Sequence, residues 1–169
     1  MPDPCFLFAS GLDLALRPAE AADAGLVRRL SADAYIPAYQ AVIGAVPKPA
    51  TEDYAERIAR GEAWILEHGG ERAATPVGVL VAEAADEHLA IYSIAVAPAW
   101  QGRGFGKALL ALAEQLARRR RLPELRLYTN TRMARNVALY RAAGFVETGT
   151  RAHPSRPGEF LVDMARRVD

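Results

Sequence analysis

The sequence predicts a mixed α/β fold, a mostly antiparallel central sheet flanked by helices on both faces. Three observations predict it. Short apolar runs rich in β-preferring residues are interspersed with amphipathic helical segments, without opening as a strict strand-helix repeat. Two pairs of such runs are joined by turn-rich stretches, as antiparallel hairpins are. One glycine turn, QGRGFG, joins a strand directly to a helix.

Residues 1–11 read as an N-terminal tail, and 12–169 as a single domain. LDLALRPA alternates Leu12, Leu14 and Leu16 before Pro18, a first strand with one buried face. Asp23 is placed to cap a helix whose apolar stripe is Leu26, Val27, Leu30 and Ala34, running towards Tyr35. IPAYQAVIGAVPKPA, with three prolines and one glycine, reads as a loop or broken helix. TEDYAERIARGE reads as a short helix, with Thr51 at its cap and Gly61 at its end. AWILEH and PVGVLVAEAA, joined by GGERAATP, form the first hairpin.

HLAIYSIAVAP is a mostly buried strand stopped by Pro98. Leu89 and Ile91 keep one parity and Ile94 and Val96 the other, so the buried face switches near Ser93. A β-bulge would produce that switch, and so would a strand buried on both faces; the letters leave both open. Leu109, Leu112, Ala113, Leu116 and Ala117 then follow helical spacing, and four arginines, 118–121, lie where a helix C-terminus favours positive charge. ELRLYTN is a strand ending at Asn130. RMARNVALYRAAGF is a helix through Val137, Tyr140 and Ala143, closed by Gly144. FVETGTRAH, the turn SRPGE and FLVDMARRV complete the second hairpin.

Glycine admits positive φ and the close approach of a ligand, so the turn at Gly102, Gly104 and Gly106 exposes amides at a helix start. Together with the helix dipole they make an anion cradle. The cradle is not a Walker loop, because Gln101 stands where the first glycine belongs and Ala108 where a hydroxyl belongs. Nor is it a dinucleotide fingerprint, which needs glycine in place of Lys107.

The chain has 169 residues, 51% of them hydrophobic, and a formal net charge of +1, enough for a core and without a global field for nucleic acid. No apolar run approaches the roughly 20 residues that span a bilayer, and CFLFA lacks a basic leader region, so the expected location is cytoplasmic and no membrane partner is expected. The single Cys5 forms no internal disulfide. His68, His88 and His153 lack neighbours at ligand spacing, so no metal is expected, and no G-x-S-x-G elbow is present.

IAVAPAWQGRGFGKALL, LYTN and RNVALYRAAGF together resemble the GNAT superfamily of acyl-CoA-dependent N-acetyltransferases. Gln101, Gly104 and Gly106 match Q/R-x-x-G-x-G/A after Val96 and Pro98, and Asn136, Tyr140, Gly144 and Phe145 match N-x-x-x-Y-x-x-x-G-F. The resemblance implies a bulged strand and a splayed strand pair at a coenzyme A site, with acetyl-CoA as co-substrate. It implies that the amides of Gln101, Gly102, Arg103, Gly104, Phe105 and Gly106 grip the pyrophosphate, and that Arg103 and Lys107 reach phosphates. Ile94, Ala95 and Val96 would pair with pantetheine, which Asn136, with Asn130 as a second candidate, and Tyr140 would also contact. Tyr140 is the implied general acid, since a phenol can protonate an expelled thiolate.

The acceptor would be an amine on a small molecule or peptide, attacking acetyl-CoA directly. Tyr35, Tyr39 and Met133, with Arg151 and Phe160, are candidates for its pocket. The carboxylate that many members carry on the bulged strand is missing around Ala90, Ile91, Tyr92 and Ser93; Glu83, Glu87 and His88 are weak substitutes, and no base is assigned. A homodimer is compatible with the family. Two other classes stand beside this one: an acyl-CoA-binding protein without catalysis, and, more remotely, a nucleic-acid module resting on the four arginines.

Overall fold

The hydrophobic pattern resolves into two cores, one on each face of a single sheet. The computed structural model describes residues 7–9, 11–70 and 73–169; Cys5 lies outside them. The strands are β1 (Leu7–Ala9), β2 (Leu14–Pro18), β3 (Ala63–His68), β4 (Thr75–Ala84), β5 (Leu89–Val96), β6 (Glu124–Asn130), β7 (Val146–Ala152) and β8 (Phe160–Arg167). Their spatial order is β1-β2-β3-β4-β5-β6-β8-β7, antiparallel except where β5 meets β6. Residues 7–9, assigned to the tail by the sequence, pair with β2 and extend the sheet by one strand.

Helices α1 (Ala24–Val42) and α2 (Ala55–Ala59) cover one face, where Val27, Leu30, Tyr54 and Ile58 meet the inner residues of β3 and β4. Helices α3 (Phe105–Arg119) and α4 (Ala134–Ala142) cover the other. The expected stripe of α3 is the buried one: Leu109, Leu112, Ala113 and Ala117 are fully buried and Leu116 nearly so. Each leucine there contributes about 1.5–3 kcal/mol. Because β4 lies between α1 and α3, both of its faces are buried from Val77 to Ala82. Among the described residues no helix is long and apolar enough to cross a membrane.

Three local expectations need correction. Asp23 does not cap α1 with its side chain. Its carboxylate accepts the Glu20 N–H at 2.8 Å, capping the preceding 3-10 turn (Ala21–Asp23), and pairs with Arg17 at 2.7 Å. The Arg17 guanidinium, followed by the Glu20 amide, holds the Asp23 carboxyl below the usual range against the opposing effect of burial. Only the second part of the segment read as a loop or broken helix is irregular, residues 43–50; its first part, 36–42, is the continuation of α1, which runs through Pro37 to Val42. Proline removes one N–H there without ending a helix held by packing on its flanking turns. Thr51 likewise does not cap α2; the helix begins at Ala55, whose N–H is accepted by the Asp53 carboxylate at 3.1 Å.

Candidate active site

The site begins with the face switch in β5. Val81 pairs with Ser93 and Ala82 with Ile91, so Tyr92 is an extra residue and β5 carries a bulge. Leu89 and Ile91 before it and Ile94 and Val96 after it all pack on the α3 core, which resolves the parity slip in favour of the bulge. Pairing between β5 and β6 is confined to Leu89 with Leu125 and Ala90 with Arg126. Beyond those pairs β6 stays with β8 as far as Asn130, while β5 stays with β4. The two strands therefore part and open a wedge in the sheet.

The glycine turn sits at the end of β5. The chain leaves Val96 through a 3-10 turn (Pro98–Trp100), and Gly102 and Gly104 then take φ of +77° and +83°, the left-handed region a side chain disfavours. A Cβ built at either would meet nothing within 4 Å, so both face open space. The first α3 carbonyl to accept is that of Gly104, from Ala108 N–H at 3.0 Å, which leaves the amides of residues 105–107 without intrahelical partners. Open amides, positive φ and a helix N-terminus suit an anionic diphosphate. Gln101 braces the turn by donating to the Val96 carbonyl at 2.9 Å, and the Arg103 guanidinium lies 4.7 Å from the Trp100 ring centroid. The Phe105 side chain is buried in the core, and Gly106 brings α3 close to Leu139 of α4.

A cleft of about 160 Å³ occupies the wedge, lined by Ile94 of β5, Thr129 and Asn130 of β6, Asn136 and Tyr140 of α4, and Tyr35 and Tyr39 of α1. Tyr140 is 8% exposed, and burial, reinforced by Tyr39, drives its phenol well above the usual value, so it keeps its proton. Burial acts in the same direction on Tyr35 and Tyr39. The Tyr35 hydroxyl donates to the Ile94 carbonyl at 2.8 Å and accepts from Ile94 N–H and the Ser93 hydroxyl, both at 3.1 Å. It therefore satisfies the backbone of β5 just past the bulge.

The model of the Acetyltransferase (GNAT) family matches residues 28–145, more than half of the chain and inclusive of the bulge, the glycine turn and Tyr140. The chain belongs to the GNAT acetyltransferase family. It is thus an acyl-CoA-dependent transferase, and its open mixed sheet is the GNAT fold. A GNAT-family acetyltransferase from Listeria monocytogenes superposes with a TM-score of 0.73 at 18% identity, over 96% of this chain and 99% of that one. The ribosomal-protein-S18-alanine N-acetyltransferase of Escherichia coli gives 0.69 at 20% identity, over 92% and 94%. Spermidine N-acetyltransferase from Vibrio cholerae, solved with CoA and spermine, gives 0.70 at 20% identity, over 92% and 96%. At such identities the likeness speaks for the fold. No curated protein matches the chain in sequence.

The remaining residues singled out from the acetyltransferase sequence disperse. Asn136 is 3.5 Å from the Thr129 hydroxyl, at the limit of a hydrogen bond, whereas Asn130 is committed at both ends of its amide: it donates to Glu159 at 2.8 Å and accepts Arg132 N–H at 3.0 Å. Met133 is buried at the start of α4 and does not line the cleft. Arg151 pairs with Asp163 at 3.0 Å and stacks on Tyr128, Phe160 is exposed, and Lys107 points to solvent. Glu83 and His88 line an adjoining groove, of about 700 Å³, which shares Ile91, Tyr92, Leu127 and Tyr128 with the cleft but lacks Asn136 and Tyr140. No group of three or more His, Cys, Asp or Glu side chains among the described residues is arranged to hold a metal.

Lys48, His153 and Arg156 also line the cleft and were not singled out. They come from the proline-rich segment after α1 and the turn between β7 and β8, where no periodicity marks an inward-facing side chain. His153 accepts the Ser155 N–H at Nδ1 at 3.1 Å, which places the proton of the neutral ring on Nε2.

Proposed function

We propose that the chain transfers the acetyl group of acetyl-CoA to the amine of an acceptor by direct attack, with Tyr140 as general acid. One observation carries the reading: the glycine turn follows the end of β5 and packs at Gly106 against Leu139 of α4, while Tyr140 of α4 lines the wedge where β5 and β6 part. When bound, acetyl-CoA supplies an activated thioester. Residues 102–107 offer their amides to its diphosphate, Asn136 orients the pantetheine arm, and the backbone of residues 94–96 is the edge along which that arm lies. The Tyr35 hydroxyl, now on Ile94, yields those backbone groups as the arm arrives.

Tyr140 holds its proton because burial penalises the phenolate. An expelled thiolate is penalised by the same surroundings, so Tyr140 gives up its proton only where a charge of comparable cost is forming beside it. No carboxylate lines the cleft among the described residues. Freeing the lone pair of an aliphatic amine at pH 7 costs about 4.6 kcal/mol, and water in the wedge is the carrier for that proton. A binding protein without catalysis is the reading that the missing carboxylate would favour.

The test is a thermal-shift comparison of acetyl-CoA, NAD and ATP, followed by thiol release with amines. Acetyl-CoA at about 100 times its dissociation constant adds about 2.7 kcal/mol of stability and raises the midpoint by several degrees. Gly104→Val, which puts a β-branched residue at φ +83°, abolishes that shift. A shift with NAD or ATP instead would end the acetyl-CoA reading; a shift with acetyl-CoA but no thiol release with any amine would leave binding alone.

A further inference from the structure

The acceptor side of the cleft is braced in a way that bears on what can enter. The Arg156 guanidinium donates to the Val46 carbonyl at 3.0 Å, which ties the turn between β7 and β8 to the segment after α1. Arg132 donates to the Val42 carbonyl at 2.5 Å, tying the same segment to the start of α4. The cleft, about 160 Å³, is shared with the pantetheine end of the co-substrate in the reading above, so the room beside these residues is narrow.

The chemistry of that space is uneven. Its walls are phenol rings, Tyr39, Tyr128 and Tyr140 among them, with Pro47 and Pro49 beside them, and its charged side chains among the described residues are Lys48 and Arg156. Arg156 is 3.7 Å from Glu159, which also accepts from Asn130, whereas Lys48 is exposed at the rim. An acceptor that carries further ammonium groups would bring them against the Lys48 ammonium, which has no ion pair among the described residues, while the nearby Glu159 carboxylate is already held by Arg156 and Asn130. An acceptor that carries an oxyanion would meet Lys48 and Arg156 while its amine rests among neutral aromatic faces.

Resting on the acetyltransferase reading, we infer that the acceptor is a small amine with an apolar body and a carboxylate or similar oxyanion near the amine, and not a polyamine. The oxyanion lies towards Lys48, and the amine towards Tyr140. Lys48 selects the acceptor and takes no part in bond making.

The experiment measures kcat/KM by thiol release for three matched pairs, tyrosine with tyramine, phenylalanine with phenethylamine and leucine with isopentylamine, together with spermidine and a short peptide with a free N-terminus. The wild-type chain favours the carboxylated member of at least one pair by about tenfold or more, and Lys48→Glu lowers that ratio by about tenfold. The ratio within one preparation is independent of the fraction of folded enzyme. Equal or better use of the decarboxylated amines or spermidine overturns the inference and leaves acetyl transfer standing, and so does acetylation of the peptide alone. A ratio unchanged in Lys48→Glu overturns the role of Lys48. No thiol release with any of these probes, while acetyl-CoA still shifts the midpoint, overturns the inference and leaves acetyl-CoA binding standing.

Discussion

Tyr140 stands where core packing and the proposed chemistry meet on one side chain. Its ring belongs to the core with Phe145, at 6.0 Å between centroids, yet it also lines the wedge. Helical spacing alone marks it as a core tyrosine, and only the surrounding N-x-x-x-Y-x-x-x-G-F pattern points to a second role. Tyr140→Phe keeps the ring and its packing and removes one hydroxyl. Turnover should fall by about a hundredfold or more, with acetyl-CoA affinity kept. Thiol-release kinetics beside a calorimetric titration check this, and unchanged turnover would take Tyr140 out of the mechanism. Asn130 shows the opposite case: its amide points to a ligand in the sequence, but Glu159 and Arg132 occupy it in the fold.

Among the elements, the bulged strand was legible because its apolar residues change parity, and a change of parity within one strand leaves few structural causes. What holds β5 in place was not legible. Gly78 of β4 reads as an unremarkable residue in PVGVLVA, but a Cβ there would lie 2.6 Å from the Ala95 carbonyl oxygen. Backbone cannot yield as a side-chain tip can, so Gly78→Ala must push β5 away from β4 beside the glycine turn. A loss of about 1–3 kcal/mol is expected, visible as a lowered melting midpoint, together with a smaller stabilisation by acetyl-CoA. A midpoint equal to wild type would mean the strand pair accommodates the methyl group. The length of α1 was misread for a related reason: Pro37 is a local breaker, and the packing that carries the helix past it is not local.

At the scale of the whole molecule, the buried phenols couple stability to alkaline pH. Burial raises Tyr35 and Tyr140 well above the free phenol and pushes Tyr54 up to about 12. A raised folded pKa contributes stability that is fully present below the unfolded value, about 10, and is lost as pH rises through the folded value. The midpoint should therefore hold steady from pH 7 to about 9.5 and fall beyond about 10. Tyr54 alone accounts for about 2 kcal/mol by pH 12. Melts across that range check it, and an unchanged midpoint at pH 11 would show that these phenols titrate freely.

The sequence by itself determined the two faces of the sheet and the glycine turn at the start of α3. Each of these is written in short-range spacing: a period of two, a period near four, or a glycine where φ must be positive. The tertiary structure alone decided that β5 and β6 part beyond Ala90, that Gly78 must be glycine, and that Lys48 and Arg156 come to one rim from positions more than a hundred residues apart. Those features depend on which strands become neighbours and which loops cross, and no local pattern of side chains encodes a distance between remote parts of the chain.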